Sequence, residues 1–485
     1  MTRGRLVVHG HFYQPSRLDP FSGRVPADPT AAPYHDWNAR IESETYRPNA
    51  ERGSLAGMSF DLGPTLAGWM AESAPATLAG FVAGDRGEAR TATPARPPGS
   101  GPRNAMAQSF HHSILPLASM ADRRTEVHWG LRDFEVRFGR PADGLWLPET
   151  AVDLATLRVL ADAGVRWTIL APWQAGTTAL DTRRPYRVEL GGGRSLVVVF
   201  YDGALSAAVS FEPLATSDAD RFARERVAPR MGTALPEGEA PLVLIATDGE
   251  LYGHHQPFRD LFLQRLVTPG PEVADRGFDV TSLADVLDSE PAVRFPVATV
   301  RDRTSWSCHH GVLRWSAECP DAADGRWKQP LRAAFERLAG AVDAVTAAAV
   351  EGLITPAALV AARDGYADVV LGLIEPATHA ATSLGDRAPL EDRRRFASLM
   401  EAQRWRLAMF ASDGWYWDDP IRIETKQVMR FAARTARIVD ELAGTRLEAR
   451  LVEDLTTFVS PGHEVDGATI YRQALAEVGQ PAPRP

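Results

Sequence analysis

The stretch Leu145–Asp153, LWLPETAVD, begins as an apolar run, passes through Pro148 and Glu149, and leads into the amphipathic pattern AVDLATLRVLADAG that closes at Gly164. A short apolar run followed by a helical period reads as a strand feeding a helix. The pattern then repeats. VRWTIL (Val165–Leu170) and SLVVVFY (Ser195–Tyr201) read as strands, and a helix is expected near Ala219–Met231. PLVLIAT (Pro241–Thr247) is the most strand-like run, and SLADVLDS (Ser282–Ser289) reads as a further short helix. Upstream, RLVV (Arg5–Val8) is the first strand candidate. This alternation over residues 1–300 predicts parallel strands in a barrel or open sheet with helices outside.

From about Gln329 the strand signal stops. PLRAAFERLAGAVDAVTAAAVEG, TPAALVAARDGYADVVLGLI, EDRRRFASLMEAQRWRLAMFAS and IETKQVMRFAARTARIVDELAG are long amphipathic helical patterns. Residues 301–485 are therefore expected to form a helical second domain. The low-complexity stretch Gly84–Arg103 is expected to be a surface loop, with a lid as the alternative.

A length of 485 residues suits one large α/β body plus a second one, and 45% hydrophobic residues allow a sizeable core. A formal net charge of −9 gives no electrostatic reason to expect nucleic acid or an anionic membrane as partner. Two cysteines make no disulfide framework. The N-terminal MTRGRLVVHGHFYQP lacks the apolar core of a secretory signal, and no apolar run of about 18 residues is present. A soluble cytoplasmic protein is expected.

In parallel α/β folds, ligands bind beyond the carboxyl ends of the strands. After Val8 come His9, His11 and Gln14. Glu149 follows the strand that holds Trp146, and Asp202 follows Tyr201. After Thr247 come Asp248, Glu250, His254 and His255. Taken singly, each has a structural explanation. Glu149 could sit in the first turn of the next helix, where the dipole favours a carboxylate. Thr150 with Asp153 could form a capping box, Asp248-Gly249 could be a turn, and the histidines could be satisfied core residues. Together they deliver polar groups from four strands to one rim. Two carboxylates there suit glycosidic bond cleavage, one as nucleophile and one as proton donor with a raised pKa. Histidines, Gln14 and tryptophans would bind sugar hydroxyls and faces.

At these residues the sequence resembles glycoside hydrolase family 57. The family's His–Gln–Pro element resembles HGHFYQP (His9–Pro15), with two residues inserted before Gln14. Its nucleophilic glutamate after strand four corresponds to Glu149 in GLWLPETAVD. Its acid/base aspartate after strand seven corresponds to Asp248 in TDGELYGHH. The resemblance implies a distorted (β/α)7 barrel followed by an α-helical C-terminal domain, and a retaining enzyme acting on α-1,4-glucans or maltooligosaccharides without a cofactor. It implies substrate contacts by His9, His11, Gln14, Trp146, Asp202, Glu250, His254 and Trp415. TSWSCHHGVLRW and FASDGWYWDDP resemble a subgroup with an extra helical domain of unassigned role. The family's second motif is altered here to GPRNAMAQ around Asn104. Its aromatic fifth motif has Trp306, Trp405 and Trp415 as candidates.

Two rival readings compete. His9-x-His11 after a first strand is how metal-dependent hydrolase barrels begin, but no histidine occurs between His128 and His254 to complete such a site. A catalytically inactive glucan-binding relative is the other, and the presence of both carboxylates speaks against it. SWSCHHGVLRWSAEC brings Cys308, His309, His310 and Cys319 into one segment. Adjacent histidines rarely ligate one ion together, so buried free thiols are favoured over zinc and no metal site is assigned.

Overall fold

The computed structural model describes residues 3–88, 101–232, 235, 239–270, 275–385 and 388–477. Its strands are β1 (Gly4–Phe12), β2 (Ser59–Leu62), β3 (Ala105–Gln108), β4 (Leu145–Trp146), β5 (Trp167–Leu170), β6 (Tyr186–Gly191), β7 (Arg194–Phe200), β8 (Leu242–Asp248) and β9 (Phe278–Val280). Residues 89–100 of the low-complexity stretch lie outside the described residues.

One sheet has the order β4-β3-β2-β1-β8, all parallel, with β9 alongside the start of β1. A second has the order β5-β7-β6, in which only β6 is antiparallel. Two narrow joins link them. Gly144 bridges Trp167 in parallel, and the Asp202 amide donates to the Leu244 carbonyl at 2.7 Å. The strands β1, β2, β3, β4, β5, β7 and β8 thus close a ring of parallel strands, the distorted (β/α)7 barrel. Gly144 is needed at the first join because a Cβ there would lie 2.5 Å from the Trp167 ring. The interior is filled by Val7, Met106, Trp146, Ile169, Val199 and Leu244, all buried. This is why the strands read as continuous apolar runs.

The helix after β4 spans Leu154–Asp162, capped by the Asp153 carboxylate, which accepts from the Thr156 amide at 2.7 Å. The expected helix near Ala219–Met231 is present as an α–π–α run. That after Ser282 spans Leu283–Asp288.

The chain divides into two compact units. The first comprises Met1–Gln14, Thr30–Ser109 and Phe134–Trp306; the second comprises Pro15–Pro29, Phe110–Asp133 and Ser307–Pro485. The second unit contains the long helices Lys328–Ala349, Leu390–Ala408 and Ile423–Ala443. The last ends at Gly444 in the left-handed conformation (φ 63°), as its Ala-Gly terminus suggests. The unit also recruits residues 15–29 and 110–133, which lie upstream of the 301–485 span expected from periodicity. The contacts that do this are non-local. Trp129 donates to the Arg363 carbonyl at 3.0 Å, and buried Asp122 pairs with Arg406 at 2.8 Å and with Arg363 at 3.1 Å. No described helix is long and apolar enough to cross a membrane.

Candidate active site

The site is built within the first unit, at the C-terminal ends of the barrel strands. β1 runs beyond the apolar RLVV, so His9 and His11 lie inside the strand and share one face. Their burial requires partners, and β2 and β3 supply them. Asp61, completely buried, accepts from His9 Nε2 at 3.0 Å, His11 Nδ1 at 2.8 Å and Gln108 Nε2 at 2.7 Å. The other nitrogen of His9 sits 3.0 Å from Ser59 Oγ. Both rings stack on Trp146, at centroid distances of 4.9 and 5.1 Å.

The two histidines carry different charges. Burial pulls the His9 pKa down despite Asp61, so His9 is neutral. For His11, burial acts the same way but is outweighed by Asp61, with Asp248 and Glu250 adding, and its pKa is pushed up to about 9. Asp61 is held below the usual carboxylate range, because pairing with His11 and His9 overcomes the penalty of burial. The rim therefore carries a fixed imidazolium–carboxylate pair beneath its acidic groups.

Glu149 does not belong to the helix that follows. It lies in the turn Pro148–Thr150, with φ 56° and ψ 21°, and Thr150 also has positive φ (47°). Such conformations cost on the order of 1–3 kcal/mol each and persist only when the surroundings over-determine them. Here they do. Thr150 Oγ1 donates to Gln174 Oε1, and Gln174 Nε2 returns to the Thr150 carbonyl, both at 2.8 Å. The Val152 amide donates to the Thr304 carbonyl at 3.0 Å. Trp306 grips Glu149 twice, its amide donating to the Glu149 carbonyl at 3.0 Å and its indole N–H to Oε2 at 3.1 Å.

Asp248 is the last residue of β8, in register with His11. Its side chain is open to solvent on one side, with His11, Asp61 and Tyr201 close enough to act on it electrostatically. Partial desolvation raises its pKa, with Asp61 adding and His11 and His255 opposing. The strand end fits closely here, since a Cβ on Gly249 would lie 2.3 Å from the Phe12 ring. Beside it, Glu250 is buried, accepts from Tyr46 Oη at 2.5 Å, and is pushed up to about 7 chiefly by burial. Tyr201, buried at the end of β7, is raised by burial and by Asp248, and its ring meets Trp306 edge-on at 6.5 Å. Trp306 in turn meets His11 edge-on at 6.0 Å and Trp146 at 5.0 Å. His11, Tyr201 and Trp306 thus connect the surroundings of the two carboxylates.

Residues 99–299 match the family model described as glycosyl hydrolase family 57. This region belongs to that family. Residues 324–479 match a domain of unknown function, DUF3536. No curated protein matches the chain. Among solved structures, an exo-type maltose-forming amylase from Pyrococcus sp. ST04 is similar at 14% identity and TM-score 0.71, over 97% of this chain and 88% of that one. A family 57 branching enzyme from Pyrococcus horikoshii is similar at 15% identity and TM-score 0.60, over 100% and 98%. An α-amylase from Thermotoga maritima is similar at 14% identity and TM-score 0.57, over 97% and 99%. At such identities the likeness is one of fold.

The structure sorts the expected residues. His11, Glu149, Asp248 and Glu250 gather at the rim. His9 and Trp146 have no exposed surface, so they position His11 and cannot face a sugar. Asp202 caps the helix Gly203–Phe211, accepting from the Leu205 amide at 2.9 Å, and pairs with Arg230 at 2.5 Å. His254 binds Glu44 at 2.5 Å, while it is His255 that couples electrostatically to Asp248. Gln14 ends the first segment of the first unit, its carbonyl accepting from Thr65 Oγ1 at 2.7 Å. Trp415 belongs to the second unit and is completely buried, with its indole N–H donating to the Lys328 carbonyl at 3.2 Å. A side chain without surface offers no stacking face, and FASDGWYWDDP could not reveal which of its aromatics is inside.

Sequence reasoning missed Asp61 and Gln108. Asp61 had a signal: a carboxylate within the apolar run MSFDLG. Gln108 had one too, at the end of the altered motif GPRNAMAQ. Asn104 in that motif is structural, its amide donating to the carbonyls of Leu55, Ala56 and Gly84. The metal-hydrolase alternative fares poorly, because both nitrogens of His9 are engaged by Ser59 and Asp61.

Proposed function

We propose that the chain is a retaining enzyme acting on α-1,4-glucans, with Glu149 as nucleophile and Asp248 as general acid/base. Glu149 attacks the anomeric carbon as the bond to the leaving oxygen breaks, and Asp248 gives its proton to that oxygen. In the second half, Asp248 takes a proton from water or a sugar hydroxyl, whose oxygen attacks the same carbon and expels Glu149. Hydrolysis and glycosyl transfer share the first half and differ in the acceptor.

The observation that carries this reading is the contrast between the carboxylates. Asp248 sits where partial desolvation and the nearby Asp61 carboxylate raise its pKa, as a proton donor needs. Glu149 is held in a strained turn, with one carboxylate oxygen fixed by the Trp306 indole N–H, as a positioned nucleophile needs. Trp173, 41% exposed beyond β5, offers a face for a sugar ring. No cofactor enters the scheme.

The test is turnover of amylose and maltooligosaccharides by wild type, Glu149→Gln and Asp248→Asn, with product anomers read by NMR and products resolved by size and branching. Glu149→Gln is expected to lower kcat by roughly 10³-fold or more with unfolding unchanged. A fresh product with inverted configuration, or only mild loss in Glu149→Gln, rules the scheme out.

A further inference from the structure

Outside the barrel rim, one cluster of ligating side chains is unexplained by the proposed function. In the second unit, the segment Ser307–Trp327 contains no regular element except the 3-10 turn Leu313–Trp315. It lies between the two regions matched by family models. Long segments without secondary structure are uncommon in compact domains unless something holds them.

The segment folds back so that Cys308, His310, Cys319 and Asp321 converge, with ligand atoms all within 4.8 Å of one another. Cys308 Sγ and Cys319 Sγ are 3.5 Å apart, and Cys319 Sγ is 3.6 Å from His310 Nδ1. His310 Nδ1 is 3.2 Å from Asp321 Oδ2, which is 3.9 Å from Cys308 Sγ. A tetrahedral ion with zinc's bond lengths of about 2.0–2.3 Å separates its ligand atoms by roughly 3.3–3.8 Å. The four measured edges scatter about that range. Cys-x-His and Cys-x-Asp approach as two short arms. His309, adjacent in sequence, is not part of the cluster, which removes the objection to neighbouring histidines.

We propose that Cys308, His310, Cys319 and Asp321 form a zinc site that holds this segment in place. Two thiolates, an imidazole and a carboxylate in tetrahedral array select zinc among common divalent ions. Four protein ligands leave no open position, so the site is structural rather than catalytic. Binding releases the two thiol protons to solvent and leaves the four ligands and ion with a net charge of −1. The Lys328 side chain nearby is buried and has no hydrogen-bond partner among the described residues. The cysteines are buried while His310 and Asp321 are partly open to solvent, which provides a path of entry.

The test uses the full chain, purified without chelator. Elemental analysis is expected to find one zinc per chain. Cobalt exchange is expected to give the visible bands of a tetrahedral ion and thiolate charge transfer. Asp321→Asn and His310→Ala, at solvent-open positions that the fold tolerates, are expected to lose the metal at chelator concentrations the wild type withstands. Chelation is expected to lower the Tm of the wild type and not of a Cys308→Ser, Cys319→Ser double variant. Background zinc together with a cobalt spectrum lacking thiolate bands overturns the proposal, as does an intramolecular Cys308–Cys319 disulfide in the freshly purified chain.

Discussion

Asp61 controls the charge of His11, and Asp61→Asn puts that control to a quantitative test. His11 in the native protein has a pKa of about 9, against an ordinary 6.5, because Asp61 Oδ2 lies 2.8 Å from Nδ1 and outweighs burial. That difference corresponds to about 3 kcal/mol in favour of the imidazolium. Removing the charge leaves burial as the main influence, so His11 in the variant should titrate at or below 6.5. At about pH 7.5, the protonated fraction should fall from nearly all to roughly a tenth or less. The direct assay is NMR titration of ¹³C-labelled histidines, with His11 assigned through His11→Gln. The stability linkage has a definite sign. A raised native pKa means the folded state binds the proton more tightly. The resulting stabilisation is complete below about 6.5 and is lost as pH rises through about 9. Urea unfolding of the wild type should therefore lose about 3 kcal/mol across that window that Asp61→Asn does not lose. The alkaline limb of kcat/KM should move down with the His11 pKa. If wild-type His11 titrates near 6.5, or if Asp61→Asn leaves it unmoved, the electrostatic account of the rim is wrong.

Trp306→Phe keeps the ring but deletes the N–H that reaches Glu149. A hydrogen bond to a charged acceptor contributes about 1.5–3 kcal/mol, so kcat should drop roughly 10–100-fold. Steady-state kinetics check this, and a change under twofold would mean the N–H does not tune the carboxylate. Glu250 has its pKa pushed up to about 7, so the folded state holds a proton that the unfolded state releases near 4.5. Its contribution to stability should decline as pH rises from about 4.5 through 7. Unfolding midpoints for wild type and Glu250→Gln should diverge across that interval, and parallel curves would show that Glu250 does not titrate there. Trp173→Ala should raise KM for maltooligosaccharides about 3–10-fold with little change in kcat, the effect of losing one stacking face. An unchanged KM would place the sugar elsewhere.

Much of the barrel was readable because its strands are buried on both faces. VRWTIL, SLVVVFY and PLVLIAT appear as unbroken apolar runs for that reason. β2 and β3 escaped detection because SFDL and AMAQ are short and carry Asp61 and Gln108 at the very positions that face the site. RLVV predicts a strand that stops at Val8, because His9 and His11 look like loop residues in the sequence; Asp61 satisfies both, and β1 runs on to Phe12. The structural alternative for Glu149, a carboxylate in the first turn of the next helix, does not hold for a local reason: the helix begins at Leu154, capped by Asp153.

The alternation of apolar runs and helical periods, and the types of residue that follow each strand, are properties of the chain alone. They determined the α/β class, the helical C-terminal region and the candidacy of Glu149 and Asp248. The tertiary structure decided which polar residues meet. Asp61 joining His9 to His11, Trp306 reaching Glu149, and Cys308 with His310, Cys319 and Asp321 converging are contacts between residues whose spacing has no fixed period. Burial, not composition, then decided charge. The same imidazole is neutral at His9 and protonated at His11 because the free energy of a charge inside a protein is set by its nearest partners and its distance from water.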